Sequence, residues 1–243
     1  MSTTYYSQYR QDEYIDKVVL NKKQNGFFVD IGAHDGISFS NSYFFEKNRN
    51  FAGICIEPNP SVFAKLAQNR KCEVLNCCIG NVVGPVKFLS IEGSGEMLSG
   101  IISSFHPQHD SRIHEELKTS GGSSTEIEVQ CIRLQNISAL NEKEIDFMSI
   151  DTEGNEIPIL KSIDFSQLNI KCIAIENNYG STEIEKILKE NGFVKIARYG
   201  DEIYIHNSLK TFTLGLRKFI FRLKKSFSNK LKTHVGQYSK KAA

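Results

Sequence analysis

Residues 27–41 read FFVDIGAHDGISFSN, and this stretch decides the fold. A short apolar run, Phe27–Ile31, contains Asp30 near its end and is followed by Gly32, Gly36 and helix-compatible sequence. Glycine carries no Cβ, so the chain can turn tightly at the strand's end and let a ligand approach the backbone. The pattern is a strand–turn–helix unit of the kind that holds a nucleotide. Its spacing is G-x-x-x-G, not the G-x-G-x-x-G of dinucleotide sites, and taken alone it also fits a plain tight turn.

The next strand strengthens the ligand reading. Gly53–Ile56 ends at Glu57, 27 residues after Asp30, where a carboxylate can accept from both hydroxyls of a ribose. The first turn also brings its own acids, Asp30 and Asp35, which repel a pyrophosphate and suit a cation. S-adenosylmethionine is an adenosine without phosphate that carries a sulfonium and an ammonium, and it fits this turn better than NAD does.

Outward from there the chain alternates strand and helix. Asn59-Pro60 supplies a cap and a first-turn proline for a helix through Gln68. Strands are expected at Glu73–Cys77, Pro85–Ser90, Ile127–Cys131, Ile145–Ile150 and Ile170–Ile175, with helices near 155–163 and 182–191. Phe193–Tyr199 and Glu202–His206 flank Gly200-Asp201 as an antiparallel hairpin. Between them, residues 91–126 are rich in Gly and Ser and carry His106, His109 and His114. That segment is expected to be a long mobile insertion, holding at most one short helix and serving as an acceptor-recognition lid. Its histidines are either rival bases or solvated loop residues. Repeated strand–helix units imply an α/β fold around a mostly parallel sheet. Ligands sit beyond the carboxyl ends of such strands, and there the sequence places Asp30, Gly32, Asp35, Glu57, Asp151, Glu153, Glu176 and Asn177.

The strings VDIGAHDG, IEPNPSVFAKLAQN, NCCIGN and IDFMSIDTEGNEIPILKSI occur in this order across roughly residues 8 to 192. Together they resemble the FkbM family of S-adenosylmethionine-dependent methyltransferases, and SQYRQDEYI resembles the lead-in of one of its branches. The resemblance implies a class I methyltransferase (Rossmann-like) sheet of seven strands ending in an antiparallel hairpin, and O-methyl transfer to a sugar, glycan or glycolipid hydroxyl. It places Asp30, Gly32, His34 and Asp35 at the methionine end of the cofactor, and Glu57 on the ribose. Pro58, Asn59, Cys78, Ile79 and Gly80 would lie beside the adenine, and Asp151 and Glu153 would face the sulfonium and the acceptor. His34 and Asp35 differ from the residues common at those positions of the family.

Methyl transfer from a sulfonium is an in-line displacement, so positioning is the main task. A base in reach of the hydroxyl assists it. Asp151 is the first candidate, its alternative being a capping or cofactor-orienting role. Glu153 and Glu176 could share the task, or with Asp151 could hold a divalent cation. No residues are assigned as metal ligands. A non-catalytic, membrane-associated adaptor on the same fold is the competing reading.

The six cysteines lack zinc spacing and read as buried thiols of a reducing compartment. The polar N-terminus is no secretory signal, and no apolar run approaches membrane-spanning length. The expectation is a cytoplasmic protein, placed peripherally on the inner face of a membrane if its tail binds there. The body, residues 1–208, holds 20 basic and 28 acidic residues, whereas residues 209–243 hold ten Lys/Arg and no acid. Within 213–232, Leu216, Ile220, Leu223, Phe227 and Leu231 share one helical face, with Arg217, Lys218, Arg222, Lys224, Lys225 and Lys232 around them. A basic amphipathic helix suits a membrane surface, with docking on the body or dimerisation as alternatives. Nucleic acid is the least expected partner because the acidic body repels phosphate. Oligomeric state and the acceptor stay open.

Overall fold

A computed structural model describes residues 3–223 of the chain. The first helix, α1 (Gln11–Tyr14), continues into a π-helical turn at Ile15–Val19. Next come β1 (Phe27–Ile31), α2 (Tyr43–Arg49), β2 (Ala52–Ile56), α3 (Pro60–Asn69) and β3 (Glu73–Leu75). Then follow β4 (Cys78–Ile79), β5 (Gly84–Glu92), β6 (Gly100–Ile101), α4 (Pro107–Ser120) and β7 (Ser123–Ile132). The second half holds β8 (Glu144–Ile145), β9 (Phe147–Ile150), α5 (Glu156–Ser162), β10 (Asn169–Ile170) and β11 (Cys172–Ile175). It closes with α6 (Thr182–Glu190), β12 (Phe193–Tyr199) and β13 (Asp201–His206).

The main sheet has seven strands in the order β12-β13-β11-β9-β1-β2-β3. Pairing is parallel from β11 through β9, β1 and β2 to β3, and the β12–β13 hairpin joins β11 antiparallel. This is the mostly parallel, class I methyltransferase-type sheet with a terminal antiparallel hairpin. Strand order runs outward from β1 in one direction and from β9 in the other, so the topological switch lies between those two strands. Ile31 pairs with both Ile56 and Ile150, and Ile150 with Ile175. Four strands therefore end at one level, and the residue after each, Gly32, Glu57, Asp151 or Glu176, stands on a single rim.

Two-residue alternation along each strand fills both faces. Val29, Ile31, Ile54, Ile56, Met148 and Ile150 pack under α5 and α6. Phe28, Cys55, Phe147 and Ala174 face the opposite layer, built from α1, its π-turn, α2 and Leu66 of α3. α3 starts as the sequence dictates: Asn59 Oδ1 accepts the Ser61 N–H at 3.2 Å and Pro60 opens the first turn. The six cysteines are free thiols, five of them buried.

Two expectations need correction. Residues 91–126 are not an irregular loop. β5 and β7 form a long antiparallel pair within a four-stranded sheet (β4-β7-β5-β6), and α4 packs back on it through Ile91, Leu98 and Ile113, with Leu89, Phe105 and Leu117 around them. The segments 145–150 and 170–175 are each two strands, broken at Asp146 and Lys171, with β8 and β10 pairing separately. At the first break the Asp146 carboxylate accepts the Phe27 N–H at 3.0 Å and pairs with Lys23 at 2.6 Å.

Among the described residues no helix is long and apolar enough to cross a membrane. Residues 212–223 form a helix, and the rest of the amphipathic segment foreseen for 213–232 lies outside the described residues.

Candidate active site

A cavity of about 530 Å³ opens at the switch point. Its floor is the turn after β1. Gly32 (φ 83°) and Gly36 (φ 81°) lie in the left-handed region. A Cβ on Gly32 would overlap the main-chain carbonyl oxygen of Asp151, so only glycine lets β1 and β9 close at this point. The Gly32 and Ala33 N–H groups both donate to the Ile56 carbonyl, at 2.9 and 3.0 Å, which ties the turn to β2.

Glu57 anchors one half of the cavity. Its Oε2 accepts the His34 N–H at 3.0 Å and its Oε1 the Asn59 N–H at 2.8 Å. Burial pushes its proton affinity up to about 7, against those two donors and helped by the charges of Asp30 and Glu96. Pro58, Cys78, Ile79, Phe88 and Ile101 line the apolar part of the cavity. Asp30 also lines it, but its carboxylate is turned to the protein, where it accepts from the Ser42 hydroxyl. Burial raises its proton affinity although Arg70 opposes the shift.

Three expected contacts fall outside the cavity lining. Asp35 caps its own turn, accepting the Ile37 and Ser38 N–H groups at 2.8 and 2.7 Å. Asn59 is the α3 cap. Gly80 donates to the Ile132 carbonyl and abuts Cys131. His34 remains at the cavity, its Nε2 donating to Glu96 Oε1 at 3.1 Å.

The other half of the cavity is acidic. Asp151, Glu153 and Glu176 each bring a carboxylate oxygen within 4.8 Å of the others. Burial raises all three: Glu176 to about 8 and Asp151 well above its ordinary value, each helped by the charges of neighbouring acids, and Glu153 to about 7, where Arg112 opposes the shift and Glu156 adds to it. Glu153 is further marked by a left-handed backbone (φ 55°), a strained conformation of the kind concentrated at functional sites. Glu156 holds the loop in that shape by accepting from the Thr152 N–H at 2.9 Å and the Gly154 N–H at 3.1 Å. Asp201, also pushed up by burial, takes the amides of Gln11 (3.1 Å) and Asn41 (2.9 Å).

The inserted unit lines this end of the cavity. Arg112 on α4 donates to Glu153 Oε2 at 3.0 Å, and its charge draws the Glu153 proton affinity down. The lid histidines divide sharply. His106 caps α4 and stacks on Tyr179, and His114 bonds to its own helix at the Asp110 carbonyl. Neither touches the acidic cluster. His109 is fully buried, and its Nε2 lies 3.0 Å from the Leu98 carbonyl. A carbonyl only accepts, which assigns the proton to Nε2. Nδ1 is then a lone pair without a partner among the described residues, 3.5 Å from Glu153 Oε2. Burial lowers the affinity of this ring for a second proton.

Glu96, Arg112, Asn155 and Asp201 were not singled out from the sequence, whereas His109 was, as one of three candidate bases. Asn155 links three parts: it accepts from Ser104 of the lid (2.8 Å) and donates to the Ile79 carbonyl (3.0 Å) at the head of α5. Such positions carry no local signal, because tertiary contact alone brings them to the rim. The charge of Arg112 and the glutamate beside Met97 were visible, but not their targets.

The switch-point cavity, the Gly32 turn and the acid ending β2 define a class I methyltransferase. A family model for the methyltransferase FkbM domain matches residues 30–195, more than half of the chain. The protein belongs to the FkbM methyltransferase family. No curated protein matches. Among solved structures, the chain is similar to methyltransferase FkbM from Methylobacillus flagellatus KT, at 15% identity over 75% of this chain and 44% of that one (TM-score 0.40). It is also similar to an NADB-Rossmann superfamily protein from Streptococcus agalactiae, at 13% identity over 95% and 84% of the two chains (TM-score 0.42). A third is the precorrin-6y C5,15-methyltransferase from Geobacter metallireducens GS-15, at 13% identity over 78% and 84% (TM-score 0.36). These scores are too low to carry a residue role from those proteins to this one.

S-adenosylmethionine is the donor that the family and fold imply, and the residues present fit it. Each Glu57 oxygen keeps a lone pair beyond the main-chain N–H it accepts, enough for two ribose hydroxyls. Asn41 Oδ1, buried at the other end of the cavity, has no hydrogen-bond partner among the described residues and suits an ammonium.

Proposed function

We propose that the protein is an S-adenosylmethionine-dependent O-methyltransferase acting on a hydroxyl of a sugar, glycan or glycolipid. The observation that carries this reading is the carboxylate cluster Asp151, Glu153 and Glu176, whose proton affinities are lifted toward neutrality beside the Gly32 turn. A base poised near the working pH is the most effective acceptor of a hydroxyl proton. The acceptor half is lined by charged and amide side chains, Arg112, Asn178 and Arg198 among them, which suits a polyhydroxyl compound better than a flat apolar one.

Bound S-adenosylmethionine would supply an electrophilic methyl group. Gly32 and Glu57 fix where the donor lies, and Asp151, directly after β9, accepts the proton that the hydroxyl gives up as its oxygen gains the methyl. Arg112 covers Glu153 from the lid side and balances part of the cluster's charge, which leaves Asp151 and Glu176 as the groups free to take a proton. A divalent cation on the three carboxylates is the rival arrangement. The ion pair already made by Arg112 favours the metal-free one, so exhaustive chelation should leave turnover intact.

The test begins with titration of S-adenosylhomocysteine into the purified protein and a Glu57→Ala variant. Micromolar binding weakened at least tenfold in the variant is expected, since hydrogen bonds to a charged acceptor contribute about 1.5–3 kcal/mol each. Label transfer to a panel of glycans and glycolipids then identifies the acceptor. A folded wild-type protein that takes no S-adenosylhomocysteine overturns the reading.

A further inference from the structure

The terminal helix, residues 212–223, presents its apolar stripe outward. Leu214 is buried in the core shared with Ile203 and Ile205, and the Phe221 ring packs edge-on against Tyr14 (5.3 Å, 86°) and Tyr199 (6.4 Å, 88°). Leu214 and Phe221 lie seven residues apart, on one face at helical spacing. On the opposite face stand Phe212, Leu216, Phe219, Ile220 and Leu223, all substantially exposed, Phe219 at 59%. The described part of the stripe read from the sequence, Leu216, Ile220 and Leu223, shares a helical face but does not hold the helix to the body. Different residues do that, and the stripe is left over.

Charge states what the stripe faces. Arg217 borders it on one side and Lys218 and Arg222 on the other, and burial first, then the nearby charge of Arg222, lowers the proton affinity of Lys218. Beyond Leu223 the sequence adds six lysines and no acid, while the body carries a net charge of −8. A second copy would bring the same cations into the contact, and the acidic bodies would repel each other. A surface both apolar and anionic satisfies both features together.

Position adds a third argument. β13 runs from the rim, where Glu202 pairs with Ile175, to the base, where Ile205 pairs with Cys172. The helix runs back along it, from the turn at Asn207–Leu209 to the contact of Phe221 with Tyr199. Tyr199 adjoins Gly200 and Asp201, which line the cavity. Phe221, near the end of the described helix, therefore lies on the rim side of the sheet, where the cavity lies.

We propose that this helix face, with the cations that border it, seats the protein on an anionic lipid surface with the cavity mouth near that surface. Apolar burial at the headgroup boundary and attraction to acidic lipid add together in such a helix. The proposal is independent of the methyl-transfer chemistry.

The experiment is sedimentation of the full chain with vesicles of phosphatidylcholine alone and of phosphatidylcholine mixed with phosphatidylglycerol, beside a Phe219→Glu/Leu223→Glu variant. Both positions are exposed, so the variant should keep the wild-type unfolding temperature and S-adenosylhomocysteine affinity, which checks its fold. The wild type should partition onto the anionic vesicles at least tenfold more strongly than onto the neutral ones, and the variant should lose most of that gain. Wild-type protein that stays in the supernatant with anionic vesicles overturns the proposal, as does a variant that pellets equally well. A dimer by light scattering that the variant abolishes, without lipid binding, assigns the stripe to self-association and overturns it too. Retention of nucleic acid in place of lipid assigns the cations to a phosphate backbone, with the same consequence.

Discussion

Glu57 is 7% exposed, with both oxygens already accepting main-chain N–H groups, and burial still lifts its proton affinity to about 7. A carboxylate must be ionised to accept from two hydroxyls, so donor binding draws the proton off. S-adenosylhomocysteine affinity should rise as pH goes from 6 to 8, with net proton release near pH 7. Titrations in buffers of different ionisation enthalpy count those protons directly, and proton uptake, or none, would contradict this account of Glu57. Asp151 is a sharper case. Asp151→Asn keeps the shape and removes the proton acceptor, so kcat should fall about 10²- to 10⁴-fold, the usual contribution of a positioned base. S-adenosylhomocysteine binding should change little. A kcat within a few-fold of wild type would return Asp151 to a purely orienting role.

At the scale of elements, the rim was legible and the lid was not. Asp30, Gly32, Glu57, Asp151 and Glu176 could be placed from sequence because each follows a run of β-branched and apolar residues, and parallel strands end in register. α4 left no comparable trace. Its sequence, PQHDSRIHEELKTS, has only Ile113 and Leu117 as apolar anchors, and their partners Ile91, Leu98 and Phe105 come from outside the helix. A helix whose core is assembled from distant residues looks like a polar loop when read alone. The N-terminal segment was opaque for a similar reason. Asp12 and Asp16 are acidic residues yet fully buried, Asp12 accepting the Tyr6 N–H and Asp16 pairing with Arg49 at 2.6 Å. The lid carries its own prediction. Arg112 is the cation against Glu153, and coupled acids titrate as a group. Arg112→Ala should therefore raise the apparent pKa of the rising limb of kcat/KM whichever carboxylate holds the proton. Activity at pH 7 should fall roughly tenfold for each unit of that rise. An unmoved limb would place Arg112 in substrate binding alone.

For the whole molecule, the sum of these buried acids sets a stability profile. Asp30, Glu57, Asp151, Glu153, Glu176 and Asp201 all bind protons more tightly folded than unfolded, chiefly through burial. Between the ordinary carboxylate range and about 8, the folded state holds more protons than the unfolded chain, so stability must fall as pH rises through that window. Below it the effect ends, and a second set takes over with the opposite sign. Glu46 with Arg70, Glu202 with Lys195 and Asp35 in its turn are held below their ordinary values, and stability is lost when they protonate. The protein without donor should accordingly melt highest near pH 5 and progressively lower up to pH 8. Adding S-adenosylhomocysteine should raise Tm more at pH 8 than at pH 6, because Glu57 is then already ionised and no proton need be removed on binding. A flat melting profile across this range, or a larger ligand shift at pH 6, would show that the acids at the strand ends are already ionised in the folded state. The link drawn here between a buried acidic rim and a base ready near neutrality would then fail.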